Sequence, residues 1–302
     1  MANRWWIVAL LTLGACWSST AMAQDLEPRR WTHLPTGLNF VGLGYGHTEG
    51  DVLFDPVLEL EDVEYTMDSA IVSYVRSHGF FGKTARFDVM VAHHSGDWKG
   101  LQQGEPASTS RDGFGDPRFR WSVLVYGGPA QNRQEFAKSG KSKTIVGAAI
   151  AVTAPLGEYD DEKLINLGQN RWVIRPQMGV TRIRGKWAFE VTGSVWLYSD
   201  NRDFFMDTTL ESDPFFSLQA HLIHTFRPGL WASLSGGYGL GFEATIAGVP
   251  KDNESENFIT ALSVGLPINR KQGIKLAWLR HRTHADTGQD SDSLVAAYSK
   301  MF

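Results

Sequence analysis

Eight polar side chains sit at alternate positions of otherwise apolar, β-prone segments: Arg118 and Arg120, Arg175 and Gln177, Glu190 and Thr192, Gln219 and His221. Alternate residues of a strand share a face, so each pair points one way and a greasy set such as Phe119, Trp121, Val123 and Val125 points the other. Charged groups on one face of a sheet persist only where they are paired or wet. If that face lines the inside of a barrel, opposed charges form either a permeation path or a ladder that fills a narrow lumen. Arg118, Arg120 and Glu190 combine both signs and are the expected constriction.

Other reactive groups fare less well. His93-His94-Ser95 invites comparison with lipid hydrolases that place a Ser/His pair in a membrane. Neighbours on a strand point to opposite faces, so His94 and Ser95 cannot hydrogen-bond without a bulge, and no remainder of a triad is recognisable. We therefore expect no enzyme. His221 and His224, three residues apart, fall on opposite faces of a strand, which argues against a metal pair. Asp160-Asp161-Glu162 and the group Asp252, Glu254 and Glu256 lie in turn-rich stretches and read as solvated charge rather than cation ligands. Gly42-x-Gly44-x-Gly46 and the glycines between 236 and 241 have no helix after them, so they read as strand bends rather than a phosphate cradle. The single cysteine, Cys16, leaves no thiolate site or disulfide framework in a mature chain. No cofactor and no metal is expected.

The elements that position the polar face are strands. Residues 172–198 read as a hairpin: a turn at Arg184-Gly185 makes Ile183 face Lys186, Met178 face Val191 and Trp172 face Leu197. One face is then apolar and the other carries Arg175, Gln177, Thr181, Glu190 and Thr192. Trp172 and Trp187 stand on the apolar face near opposite ends. At ~3.3 Å per residue and a tilt of ~40° they are about 25 Å apart along a barrel axis, the height of a lipid band between aromatic girdles. Pro176 cannot donate a ladder hydrogen bond, and a local bulge is expected there.

Alternating segments recur at 37–47, 66–77, 84–94, 116–126, 144–154, 172–183, 186–198, 215–226, 230–243, 258–268, 274–283 and 293–302. Between them, 48–62 reads as a long acidic gap, 95–115 as a Gly/Ser/Asp-rich loop, 127–143 as a connection with a helical turn at 134–138, and 155–171 as a further long loop. Long and short connections alternate except after the fourth strand. Twelve strands, an even count, with long loops on one side and tight turns on the other, predict an all-β, antiparallel transmembrane outer-membrane β-barrel over 37–302. There is no run of 18 apolar residues after the N-terminal segment and so no spanning helix, as a barrel requires only alternate apolar residues.

Residues 1–23 read as an export signal with cleavage after Ala23; acylation at Cys16, through Leu13-Gly14-Ala15-Cys16, is the alternative. Residues 24–36 have no period and two prolines, and read as a periplasmic lead-in or a lumenal plug. The formal net charge of -4, without a basic patch, argues against nucleic acid.

Three stretches carry a resemblance: Gly113-Phe114-Gly115-Asp116-Pro117-Arg118-Phe119-Arg120; Pro155-Leu156-Gly157-Glu158-Tyr159-Asp160 continuing to Leu164-Ile165-Asn166-Leu167-Gly168-Gln169-Asn170-Arg171-Trp172; and Thr225-Phe226-Arg227-Pro228-Gly229-Leu230-Trp231. They resemble the outer-membrane proteins of the phenol-degradation meta-pathway family. The resemblance implies a barrel in a Gram-negative outer membrane with a role in passage of aromatic compounds. The terminal Phe302, with Tyr298 and Leu294 on its face, also resembles the signal read by the outer-membrane assembly machinery, although Lys300 interrupts it. The expected partners are thus the lipid bilayer with its lipopolysaccharide, that machinery and a small-molecule solute. The expected function is a channel or transporter for small, aromatic or hydrophobic solutes. A structural or adhesion barrel with a plugged lumen, a membrane lipid hydrolase and a soluble periplasmic β-sandwich are the competing readings.

Overall fold

The computed structural model describes residues 26–54, 58–139 and 143–302. The export-signal and Cys16 readings lie outside the described residues. The strands, in chain order, are β1 (Asn39–Leu53), β2 (Leu60–Phe80), β3 (Lys83–Gln102), β4 (Glu105–Phe114), β5 (Arg118–Tyr126), β6 (Thr144–Thr153), β7 (Val173–Arg184), β8 (Trp187–Tyr198), β9 (Asn201–Phe204), β10 (Thr208–Ser212), β11 (Phe215–Arg227), β12 (Leu230–Gly241), β13 (Ala244–Ile246), β14 (Val249–Pro250), β15 (Ser255–Pro267), β16 (Gln272–Thr283) and β17 (Gly288–Met301). A short helix, Arg133–Lys138, follows β5 and is capped by Asn132.

Twelve of these strands form one closed antiparallel barrel, in which β17 pairs with β1 and β2 with β3. The burial pattern shows which solvent surrounds it. Leu218, Leu234, Met178 and Leu294 are 57–62% exposed on the outside, whereas Glu190 and His221 are buried on the inside. Trp187 and Phe189 are half exposed, with no second layer over them. An apolar exterior around a polar interior is what hydrocarbon selects, and a closed sheet leaves no edge unsatisfied in it. Near the short-turn end Phe80 packs edge-on against Phe81 and Trp121, and His224 lies tilted to Trp187 and edge-on to Phe226, an aromatic girdle at one interface.

Three expectations need correction. The β7–β8 turn falls at Gly185 and Lys186, so Arg184 faces Trp187 and Met178 faces Gly193. The pairing slides, but the inward and outward sets survive, because the slip preserves which alternate residues share a face. At Pro176 there is no bulge. The β7–β8 register is the same on both sides, with a gap in the ladder at Arg175 and Pro176, while Pro176 still sits opposite Ile150 of β6. Finally, the 48–62 gap and the 95–115 loop are largely strand. β1 and β2 run into the former, and the latter is a hairpin of β3 and β4. That hairpin closes at Gln103 and Gly104, both at positive φ (55° and 78°), the two-residue turn that suits twisted strands. Its Gly, Ser and Asp content hid a period-two alternation in which Trp98 points inward and is buried.

The extended strands, the 155–171 loop and a four-stranded sheet of β9, β10, β13 and β14 close over the long-loop end. Phe54, Tyr65, Trp98, Leu167, Phe204 and Ile246 are among the buried residues of the apolar cluster there. This cap holds a core of the ordinary kind, because water rather than lipid surrounds it.

Candidate lumenal site

Register places the inward side chains in rows around the wall. One row runs Asp88, Arg120, Ala151, Arg175 on β3, β5, β6 and β7. Arg118 lies beside Met90 and Thr153 in the next row toward the long-loop end. In the other direction come Gln177 opposite Ser194, then Thr192 opposite Gln219, then Glu190 opposite His221. All eight expected lumenal residues therefore face inward. Arg120, Arg175, Glu190, Thr192, Gln219 and His221 are buried. The hydrogen bonds of the Glu190 carboxylate go to residues 30, 31 and 181. His221 hydrogen-bonds Ser235 across the β11–β12 pair, at 2.8 Å.

What lies between these rows is the N-terminal segment, residues 26–36. The Glu190 carboxylate accepts the backbone N–H of Arg30 at 2.9 Å, that of Trp31 at 3.4 Å and the hydroxyl of Thr181 at 2.8 Å. Trp31 is 1% exposed, and its indole N–H donates to Thr192 Oγ1 at 2.8 Å. Its ring occupies space that a Cβ at Gly147 or Gly179 would take, so these two facing glycines of β6 and β7 form its seat. Arg30 Nη1 donates to Asp88 at 2.9 Å, and Asp88 also accepts from Arg120 Nε at 3.2 Å. Glu27 accepts from both terminal nitrogens of Arg120, at 3.0 and 2.8 Å, and lies 3.5 Å from Arg118. A two-pronged guanidinium–carboxylate pair is strong as well as directional.

Glu27, Arg30, Trp31, Asp88, Gly147 and Gly179 were not singled out above. Asp88 was open to discovery, since it alternates inward with Arg86 on the 84–94 segment. Glu27, Arg30 and Trp31 were not, because an aperiodic segment gives no facing rule and Trp31 and Thr192 are 161 residues apart, while Gly147 and Gly179 show only as small residues of β6 and β7.

A second constellation joins two of the stretches that carried the family resemblance. Asp116, between β4 and β5, accepts the backbone N–H of Leu156 at 3.1 Å and of Gly157 at 2.8 Å through Oδ1, and that of Gln169 at 2.7 Å through Oδ2. Gly157 packs against Asp116, and Gly168 against Gly157, so closely that a Cβ at either would collide. Asp116 therefore ties both ends of the 155–171 loop to the wall. With hydrogen bonds to a charged acceptor contributing about 1.5–3 kcal/mol each, Asp116→Ala should free the loop while leaving the barrel folded. Faster hydrogen exchange at the Leu156, Gly157 and Gln169 amides, with unchanged heat-modifiable gel mobility, is the expected outcome; unchanged exchange would refute the tie.

His94 hydrogen-bonds Ser69 of β2 at 2.8 Å, not Ser95, whose side chain lies on the opposite face. Among the described residues no group of three His, Cys, Asp or Glu side chains could hold a metal ion.

Residues 55–295 match a family model described as "Putative MetA-pathway of phenol degradation". No curated protein matches the chain. Among solved structures, the COG4313 outer membrane channel from Pseudomonas putida F1 superposes with a TM-score of 0.76 at 21% identity, covering 92% of this chain and 100% of that one. The beta domain of the Bordetella autotransporter BrkA gives 0.49 at 9% identity, covering 87% and 100%. The TodX monoaromatic hydrocarbon channel gives 0.49 at 10% identity, covering 89% and 91%.

Proposed function

The chain belongs to this phenol-degradation family, and from that premise we propose that it is an outer-membrane channel for small aromatic or hydrophobic solutes, with residues 26–36 acting as a lumenal plug. The observation that carries the reading is the wall away from Trp31. There Gly42, Gly44 and Gly46 of β1 face Ser299, Ala297 and Val295 of β17, small side chains that take up little of the lumen. Along the same wall, at the short-turn end, a groove of about 290 Å³ is lined by Phe40, Trp231, Lys275 and Ser299 among others. A path beside the plug, exiting at that groove, accounts for both. Four of the eight lumenal residues named from sequence support this reading: Glu190 and Thr192 hold the plug, and Arg118 and Arg120 grip it through Glu27.

The membrane in question is the outer membrane of a Gram-negative cell, with lipopolysaccharide against the long-loop rim and the assembly machinery reading the strand that ends in Phe302. The depth at which Trp31 is buried favours a second reading, a structural or adhesion barrel that stays closed. Reconstitution into liposomes with a panel of neutral, anionic and aromatic solutes separates the two. Swelling or uptake with the aromatic members is expected, and no flux of any solute would leave the closed barrel standing instead.

A further inference from the structure

We propose that the arginine row is a binding site for an organic carboxylate, specifically an aromatic acid, and that Glu27 occupies it as a built-in competitor. Three observations meet there. The first is the Glu27 carboxylate itself, held by the fork of Arg120 with Arg118 at 3.5 Å. It comes from the plug and not from the wall, so the wall presents a carboxylate seat whether or not the plug fills it.

The second is what adjoins the seat. Arg175 follows Arg120 along the row with only the small Ala151 between them. Its guanidinium stacks over Trp196, 4.8 Å from the ring centroid, and Trp196 meets Phe215 edge-to-face at 5.3 Å. Both rings are buried, and Tyr198 and Phe242 pack against the same cluster. A carboxylate on Arg118 and Arg120 thus brings its own substituent beside the Arg175 guanidinium that faces this aromatic wall, where a flat ring gains a cation–π contact that an alkyl group of equal size does not.

The third is the local charge. Around the row Arg30, Arg86, Arg118, Arg120 and Arg175 outnumber Asp88 and Glu27, and adding Glu190 still leaves two positive charges in excess. The whole chain carries a formal net charge of -4. An acidic protein that concentrates guanidinium inside its lumen favours anions there.

Because Glu27 and the solute compete for one seat, binding is linked to release of the plug's grip on Arg118 and Arg120, and each weakens the other by the same factor. The proposal rests on the lumen being a solute path, but its test measures binding without transport. Calorimetric titration of the purified full-length barrel in detergent would compare sodium benzoate, sodium cyclohexanecarboxylate and benzyl alcohol. Benzoate should bind more tightly than either of the others. Glu27→Gln, which empties the seat of its charge, should tighten benzoate binding roughly ten-fold, and Arg120→Gln should weaken it by a similar factor. Heat-modifiable gel mobility verifies that each variant is folded, with Arg118→Gln in place of Arg120→Gln if that one is not. Equal affinity for benzoate and benzyl alcohol, or no effect of Glu27→Gln, would overturn the seat. Equal affinity for cyclohexanecarboxylate would overturn the aromatic wall. Flux of neutral solutes without benzoate binding removes this site and keeps the channel, whereas benzoate binding without any flux does the reverse.

Discussion

Met178→Arg should cost the barrel roughly 2–4 kcal/mol, the penalty for a cation at the middle of a hydrocarbon layer. Met178 lies midway between the levels of Trp172 and Trp187 on β7, is 62% exposed and points away from the lumen. A side chain exposed to water at that position would make the same substitution nearly neutral, within about 0.5 kcal/mol. The two solvents therefore give opposite outcomes from one change. Urea unfolding in lipid vesicles is the measurement, with Met178→Leu as the control that keeps volume and polarity. A variant with the stability of the parent would show that this face does not meet lipid and would undo the spanning assignment. The expected defect should shrink toward either end of the strand, because a long cationic side chain there reaches the interface. Arg182 and Arg184, at the short-turn end of the same strand, are exposed arginines in that position.

How much of this was legible in the chain follows from the range of each rule. Strand alternation is local, and it separates Arg120 and Arg175 from Phe119 and Ile174 in the amino-acid sequence alone. It survived an error in the β7–β8 turn because opposed pairs can slide without changing faces. The count of twelve was legible for the same reason. The β3–β4 hairpin was not, since Gln103-Gly104 is a weaker turn signature than Asn-Gly and its strands leave the membrane for water, where the greasy face is no longer required. The helical turn at 134–138 was legible, and the structure adds the reciprocal cap that Asn132 and Glu135 make at its start. The heart of the site stayed hidden. Glu27 and Trp31 act through partners on β5, β7 and β8, and nothing within a few residues of either says so. Gly147 and Gly179 were visible only as small strand residues, and their meaning comes from the indole that fills the space above them.

That indole sets the largest expected effect on transport. Gly179→Val places branched carbons where the Trp31 ring now lies, and Thr192 behind it cannot yield the space. The ring must leave its seat. With it go the hydrogen bond to Thr192 and the burial of a side chain only 1% exposed, a loss of about 3–5 kcal/mol by analogy with removal of a large aromatic from a packed site. Trp31→Ala empties the same seat from the other side and should have a similar effect without touching the wall. The remaining anchors, Glu27 on Arg120 and the Arg30 backbone on Glu190, would then hold a segment that has lost its most buried member. We expect single-channel conductance several-fold above the parent in both variants, and additive effects to be absent in the double variant because both changes remove one contact. If both variants conduct as the parent does while migrating as folded barrels, residues 26–36 are not what narrows the lumen. If only Gly179→Val conducts more, the change lies in the wall itself and Trp31 is a passenger.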